Sequence, residues 1–329
     1  MRSRFSLLTS LLAAAGLALG ATSAARAADI RLGHVLANSH SWHVAAEGFA
    51  KEVREKTDGR VNFQLFPSGQ LGNEKTMIEG LQIGSQGAAI IGTGSLQPID
   101  SRFGIVELPY TWTSVEQAHA AYDGKLGDAL AKIADQKNLV LVSWWENGYR
   151  HLTNNRGPVN TPADLKGLKT RVTPDKMRLD TFTQMGANPA PLAFGELYSA
   201  LQQGVFDAQE NPLSIIYTSS FFEVQKFLSL TGHVWGPASL VMSKPVWNRL
   251  SEEDRAAIKA AGDHWGQEQR RLIREGEAEY IEQLKAKGMQ VNDADKAAFT
   301  EAVAPVWETY RGAFGDELMS LVEQYRGAN

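Results

Sequence analysis

Two arginines and one amide are the residues of this chain best suited to chemistry. Arg150 lies in "ENGYRHLTNN" (146–155), Arg171 near the end of "TPADLKGLKTRV" (161–172), and Asn211 in "DAQENPLS" (207–214). Arginine presents a planar fork of donors that matches a carboxylate, so paired arginines beside an amide point to a site for an organic acid. The ordinary alternative is a strand-end arginine paired with a surface carboxylate. Arg171 argues against it, because it follows the tight "LKGLK" turn among small and apolar neighbours and is expected to point into a cleft. For Arg150 the Tyr-Arg-His context fits a solvated loop equally well. Asn211 is expected in a Glu-Asn-Pro turn rather than in a buried strand, since proline cannot donate to a ladder. No nucleophile–base pair, metal cluster or phosphate loop accompanies the three. The pattern is a grip without a reaction, and no catalytic residue is assigned.

Other motifs carry less. His34, His40 and His43 cluster, but no third ligand has a recognisable metal spacing, so packing or hydrogen-bonding histidines are expected and neither a metal nor a cofactor is. "GTGS" (92–95) follows a predicted strand, yet Gln97 stands where a dinucleotide loop needs its third glycine. The pair of glycines, Gly92 and Gly94, is therefore read as a turn or a close backbone approach to a ligand. No Gly-x-Ser-x-Gly elbow, His-Glu-x-x-His pair or Walker sequence is present. Most of the eight tryptophans read as core, with Trp247, Trp265 and Trp307 in amphipathic helical contexts; Trp235, in "TGHVWGP", is the one expected in a pocket wall.

The elements that must position these groups are legible in part. Alternation predicts strands over 29–36 and 60–67, and "AAIIG" (88–92) a short buried one. Between them, Trp42, Ala45, Ala46, Phe49, Ala50 and Val53 recur at helical spacing, and 74–84 reads as a helix stopped by Gly84. That order implies parallel pairing with right-handed crossovers. "NLVLVSWW" (138–145) is a continuous apolar run suited to a central strand. Thr161, followed by Pro162 and Asp164, opens a helical turn; "LKTRV" is a short strand; 193–204 carries a helix; "SLVMS" (239–243) is a late strand. Ser251 with Asp254 caps a polar helix of over thirty residues, expected to break near Gly262 or to span two lobes. A last helical segment follows Asp293, with Pro305 inside it.

Residues 1–27 read as a secretory signal peptide: Arg2 and Arg4, a short apolar run, and "ARA" as cleavage site, cut after Ala27 with Ala28 as the alternative. An exported chain in the periplasm is expected, without disulfides because there are no cysteines. The formal charge of −4 becomes more negative once Arg2, Arg4 and Arg26 are removed, which argues against nucleic acid as a partner. The remaining length suits two domains at about 100–200 residues each.

On the strength of "FPSGQLGNE" (66–74), "ELPY" (107–110), "ENGYRHLTNN", "LKGLKTRV", "QENPLS" and "EVQKFLSLTGH" (223–233), the chain resembles the DctP-type solute-binding proteins of tripartite ATP-independent periplasmic (TRAP) transporters. The resemblance implies an α/β fold of two lobes with crossing segments and a long connecting helix, closing on its ligand like a flytrap. Approximate lobes are 28–148 with 237–276, and 149–236 with 277–329. It implies that Arg171 makes the two-point salt bridge to a ligand carboxylate, that Arg150 and Asn211 complete the grip, that Phe194 lies near the ligand, and that Glu74 can reach ligand hydroxyls. Gly92 stands where some relatives carry a larger polar side chain. With His34, Thr93 and Trp235 as distal groups, a sugar acid such as a hexuronate or aldonate is expected, with a C4-dicarboxylate or keto acid as the alternative. The implied partners are the small and large permease subunits, and the protein itself is expected to be a monomer. A periplasmic carboxylate-processing enzyme and a binding protein for an ATP-driven importer or sensor are the competing classes.

Overall fold

The computed structural model describes residues 28–327; the signal peptide expected at 1–27 lies outside them. Its strands are β1 (Ala28–Gly33), β2 (Val61–Phe66), β3 (Ala88–Gly92), β4 (Leu139–Asn154), β5 (Lys169–Val172), β6 (Asn188–Pro191), β7 (Ala208–Pro212), β8 (Phe227–Leu230), β9 (Trp235–Ser243) and β10 (Gln290–Asp293). They run in the order β2-β1-β3-β9-β4-β7-β5-β6, with β8 on β4 and β10 on β8. β1 pairs parallel with both β2 and β3, as the strand–helix alternation predicts. Helices α1 (Ser41–Lys56) and α2 (Glu74–Ile83) make the two crossovers. α2 stops where Gly84 takes a φ of 78°, a left-handed cap that glycine adopts without steric cost.

β4 holds the two halves of this mixed α/β fold together. Residues 139–149 pair with β9, and residues 150–154 pair with β7 and β8. The apolar run is thus a central strand, but it extends well past Trp145 into the polar "ENGYRHLTN". The ladder to β9 slips between Glu146 and Gly148, a bulge that leaves backbone groups to be satisfied otherwise. Gln269 supplies an amide oxygen to the Glu146 N–H (2.8 Å) and an amide N–H to the Glu146 carbonyl (3.0 Å). The Trp42 indole N–H donates to the same carbonyl at 2.8 Å.

Gln269 belongs to the helix Glu252–Ala286, which is continuous over 35 residues; the break expected near Gly262 is absent. Gly262 and Gly266 instead form a bare strip that lets the helix press onto β4. A Cβ at Gly266 would lie 2.8 Å from the Trp144 carbonyl, and one at Gly262 3.0 Å from Val142 and Ser143 side-chain atoms. On its other side Gly48 of α1 meets the Trp265 ring so closely that a Cβ there would sit 2.1 Å away. The predicted helix over 193–204 begins as a 3-10 turn at Phe194–Glu196 and becomes α-helical at Leu197–Gln202. The final segment is two helices, Lys296–Phe314 with Pro305 inside it and Asp316–Arg326. The last of these packs on the helices Val115–Tyr122 and Lys125–Gln136. No helix among the described residues is long and apolar enough to cross a membrane.

Candidate functional site

Arg150, Asn211 and Arg171 come from three neighbouring strands, β4, β7 and β5. The turn expected around Asn211 is instead the buried end of β7, with His151 opposite Asn211 and Arg150 opposite Pro212. Proline is tolerated there because Pro212 is the last strand residue and the N-cap of the helix Leu213–Thr218. β5 runs parallel to β7 on its far side and sets Arg171 against Gln209. One short stretch of sheet therefore gathers groups that are 61 residues apart in sequence, the separation of Arg150 and Asn211.

Both arginines are buried, at 2% and 1% exposure, yet their surroundings differ. Arg150 is fully engaged on one edge: Nε donates to Glu210 Oε2 at 2.5 Å, and Nη2 to Glu210 Oε1 at 2.9 Å, to the Glu210 carbonyl at 2.7 Å and to Asn211 Oδ1 at 3.0 Å. Arg178, from the helix Lys176–Gln184, donates Nη1 to Glu210 Oε2 at 2.6 Å and Nη2 to Glu107. The His233 ring adds a contact to Glu210 at 3.1 Å. Burial alone would raise the Glu210 carboxyl, but the Arg150 and Arg178 guanidiniums hold it well below the usual carboxylate range.

Arg171 has no such partner. Its Nε and Nη2 both donate to the Leu192 carbonyl, at 2.9 and 2.6 Å, and Nη1 is buried with no hydrogen-bond partner among the described residues. Among the described residues it makes no ion pair, whereas the buried arginines 150, 178 and 270 each do. Burial draws its guanidinium down to about 10, with Glu210 pulling the other way, so it is cationic at neutral pH. A buried cation with an unfilled donor is costly unless a carboxylate arrives to meet it.

In front of this sheet lies a cavity of about 40 Å³ whose walls include Glu74, Gly92, Asn147, Arg150, Phe194 and Asn211. That volume is room for about one or two waters, far below the ~300 Å³ or more of a small-molecule site, so the cleft is closed down. Glu74 opens α2 and is pinned by the Gly92 N–H to Oε1 (3.1 Å) and by Ser95 Oγ to Oε2 (3.0 Å). Burial raises its carboxyl, opposed by those two hydrogen bonds. Arg171 is not a wall residue in this closed form.

Three other candidates also lie off the wall. His34 is buried with its Nε2 3.1 Å from His43 Nδ1. Thr93 spends its hydroxyl on Ser239 Oγ at 2.6 Å. Trp235 is in an aromatic stack, 5.6 Å from the Tyr122 ring at 21°, with its N–H on Glu146 Oε1. Among the described residues no group of three or more acidic, His or Cys side chains is placed to hold a metal.

Sequence reasoning missed Trp42, Glu107, Asn147 and Arg178, all on the cavity wall. Asn147 sits in the β4 bulge, so plain alternation assigns it the wrong face, and its buried Oδ1 has no partner among the described residues. Its place three residues before Arg150 in the same motif was the available signal. Larger hollows of about 340, 460 and 500 Å³ lie elsewhere among the described residues, but none of the three is lined by Arg171 or Asn211, and Arg270 in the first is paired with Asp123.

Comparisons with known proteins converge on one family. The model for bacterial extracellular solute-binding protein, family 7 (DctP), matches residues 32–313. The 2,3-diketo-L-gulonate-binding periplasmic protein YiaO of Escherichia coli is 37% identical over 290 residues, 88% of each chain. The sugar acid binding protein DctPAm of Advenella mimigardefordensis, solved in complex with galactonate, superposes with a TM-score of 0.89 at 31% identity, covering 92% of this chain and 98% of that one. A TRAP periplasmic solute-binding protein of Chromohalobacter salexigens with bound D-glucuronate gives 0.87 at 34% identity, over 91% and 100% of the two chains.

Proposed function

Since the chain belongs to the DctP family of extracellular solute-binding proteins, and so binds rather than transforms its ligand, we propose that it captures a sugar acid, a hexuronate or aldonate, through a salt bridge from Arg171. The observation that carries this reading is the buried Arg171 guanidinium with a free Nη1 and no counter-ion. A ligand carboxylate supplies that counter-ion. Asn211 and Arg150 support the grip, Arg150 through Nη1, since Nε and Nη2 are committed to Glu210. At the far end, the Glu74 carboxylate and the unpartnered Asn147 Oδ1 are acceptors suited to ligand hydroxyls, and Phe194 offers an apolar face. Relatives solved with galactonate and D-glucuronate fit the same chemistry.

The ligand enters when the lobes part and is enclosed when they close, the closed state being favoured because more ligand contacts exist there. The lobes are taken as approximately 28–148 with 237–276, and 149–236 with 277–329. The hinge includes β4 at Gly148–Tyr149, where the strand changes partners. The loaded protein acts in the periplasm as a monomer and hands its ligand to the small and large permease subunits of a TRAP transporter.

A thermal-shift panel tests the reading. A ligand at 100 times its dissociation constant adds about 2.7 kcal/mol, a rise of several degrees in a protein of this size. Galactonate and glucuronate are expected to give it, and the uncharged galactitol and glucose are not. Equal stabilisation by the neutral compounds contradicts the carboxylate grip.

A further inference from the structure

The cavity wall carries a carboxylate that the grip does not use. Glu107 ends the 3-10 segment Ser101–Glu107, is 7% exposed, and binds Arg178 Nη2. Its seat is built for it: a Cβ at Gly94 would lie 2.0 Å from Glu107 Oε1, so the second glycine of "GTGS" is bare to admit this side chain. Arg178 is the other cation that lines the cavity beside Arg150. Its two terminal nitrogens are taken, Nη1 by Glu210 and Nη2 by Glu107.

A ligand with carboxylates at both ends needs a second cation after Arg171. The guanidiniums that line this wall, among the described residues, are Arg150 and Arg178, and both are already neutralised by protein carboxylates. Glu107 takes up Arg178 Nη2, which is therefore closed to a second ligand carboxylate, while Glu74 adds negative charge elsewhere on the wall. We propose that Glu107 is a specificity-determining residue: it acts as a built-in second carboxylate on Arg178, admitting monocarboxylate sugar acids and rejecting dicarboxylates. This rests on the reading that Arg171 grips the first carboxylate. Rejection comes from like charge and from the absence of an unpaired cation, a penalty on the wrong ligand more than a gain for the right one.

The experiment uses two pairs on one carbon skeleton each, galactonate with galactarate and gluconate with glucarate, by titration calorimetry. Wild type is expected to bind the monoacid of at least one pair at least 100-fold more tightly than its diacid. Glu107→Gln keeps the side-chain shape and removes its charge, leaving Arg178 Nη2 with at most a neutral amide acceptor; the ratio is expected to fall below 10-fold, chiefly through tighter diacid binding. Gly94→Ala, which displaces the carboxylate without removing it, is expected to shift the ratio in the same direction and serves if Glu107→Gln does not fold. A wild type that binds the diacid within 10-fold of the monoacid overturns the inference, as does an unchanged ratio in a folded Glu107→Gln protein. Failure of the underlying reading shows differently: Arg171→Ala then binds the monoacid as wild type does, whatever Glu107 does to the ratio.

Discussion

At the scale of single residues, the buried arginines fall into two energetic classes. Glu210 neutralises Arg150 and Arg178 together and takes a His233 contact besides. Removing one member of such a buried set leaves charge uncompensated, at a cost of about 3–5 kcal/mol. Glu210→Gln is therefore expected to lower unfolding free energy by that order in urea melts; a loss under about 1 kcal/mol would show that the network is not a structural anchor. Arg171 is the reverse case. Nothing but a backbone carbonyl meets it, so Arg171→Met is expected to leave ligand-free stability unchanged or raised. A large loss in that variant would mean that Arg171 holds the fold together.

At the scale of elements, the β4 bulge matters most, because it turns Asn147 to the cavity and marks where the strand passes between halves. Its freed backbone groups depend on the Gln269 amide, which serves both the N–H and the carbonyl of Glu146. Gln269→Leu is expected to cost about 1–3 kcal/mol, from orphaned buried groups, and to weaken ligand binding by misplacing Asn147. Chemical denaturation with a parallel binding titration checks both; unchanged values on both counts would remove the bulge from the account.

Legibility in the sequence follows the same division. α1, α2 and β2 were readable because each carries a full period of burial, and β3 because it is a continuous apolar run buried almost throughout. β6, β7, β8 and β10 were not: at four or five residues they carry too few alternations to show a period, and β6 has two prolines among its four residues. Only the ladder partners define them. The same holds for the site. Arg150, Arg171 and Asn211 were visible as residue types, but Arg178 and Glu107 act through partners 71 residues apart, and no local spacing reveals such a pair.

At the scale of the whole molecule, buried histidines set the response to acid. His34, His40 and His151 are held neutral, each lowered to about 3, first by burial and then by neighbouring positive or titrating groups. A base lowered in the folded state gives stability that is complete above its unfolded value near 6.5 and is lost as pH falls towards 3. Each contributes about 1.4 kcal/mol per pH unit in that window. Glu74, raised by burial, works the other way: its contribution is present below its unfolded value near 4.5 and is lost as pH rises through its folded value. Glu107 and Glu277, also raised by burial, act in the same sense as Glu74; with the three histidines taken to set the net slope, the melting temperature is expected to fall by more than 5 °C from pH 7.5 to pH 5. A flat profile over that range would show that these rings take up protons as readily in the fold as in the unfolded chain.

The closed cavity, the two halves joined at β4 and the long helix across them are consistent with a molecule that waits for one charge. Titration calorimetry of galactonate and D-glucuronate into wild type and Arg171→Ala tests this most directly. Loss of one partner of a buried charge pair costs about 2–5 kcal/mol, or roughly 30-fold to several-thousand-fold in affinity. Wild type is expected to bind at least one of the two acids at micromolar concentration or below, and Arg171→Ala, with an unchanged melting curve, to show no micromolar binding. Equal affinity in the two proteins would contradict the assignment of Arg171 as the residue that holds the ligand.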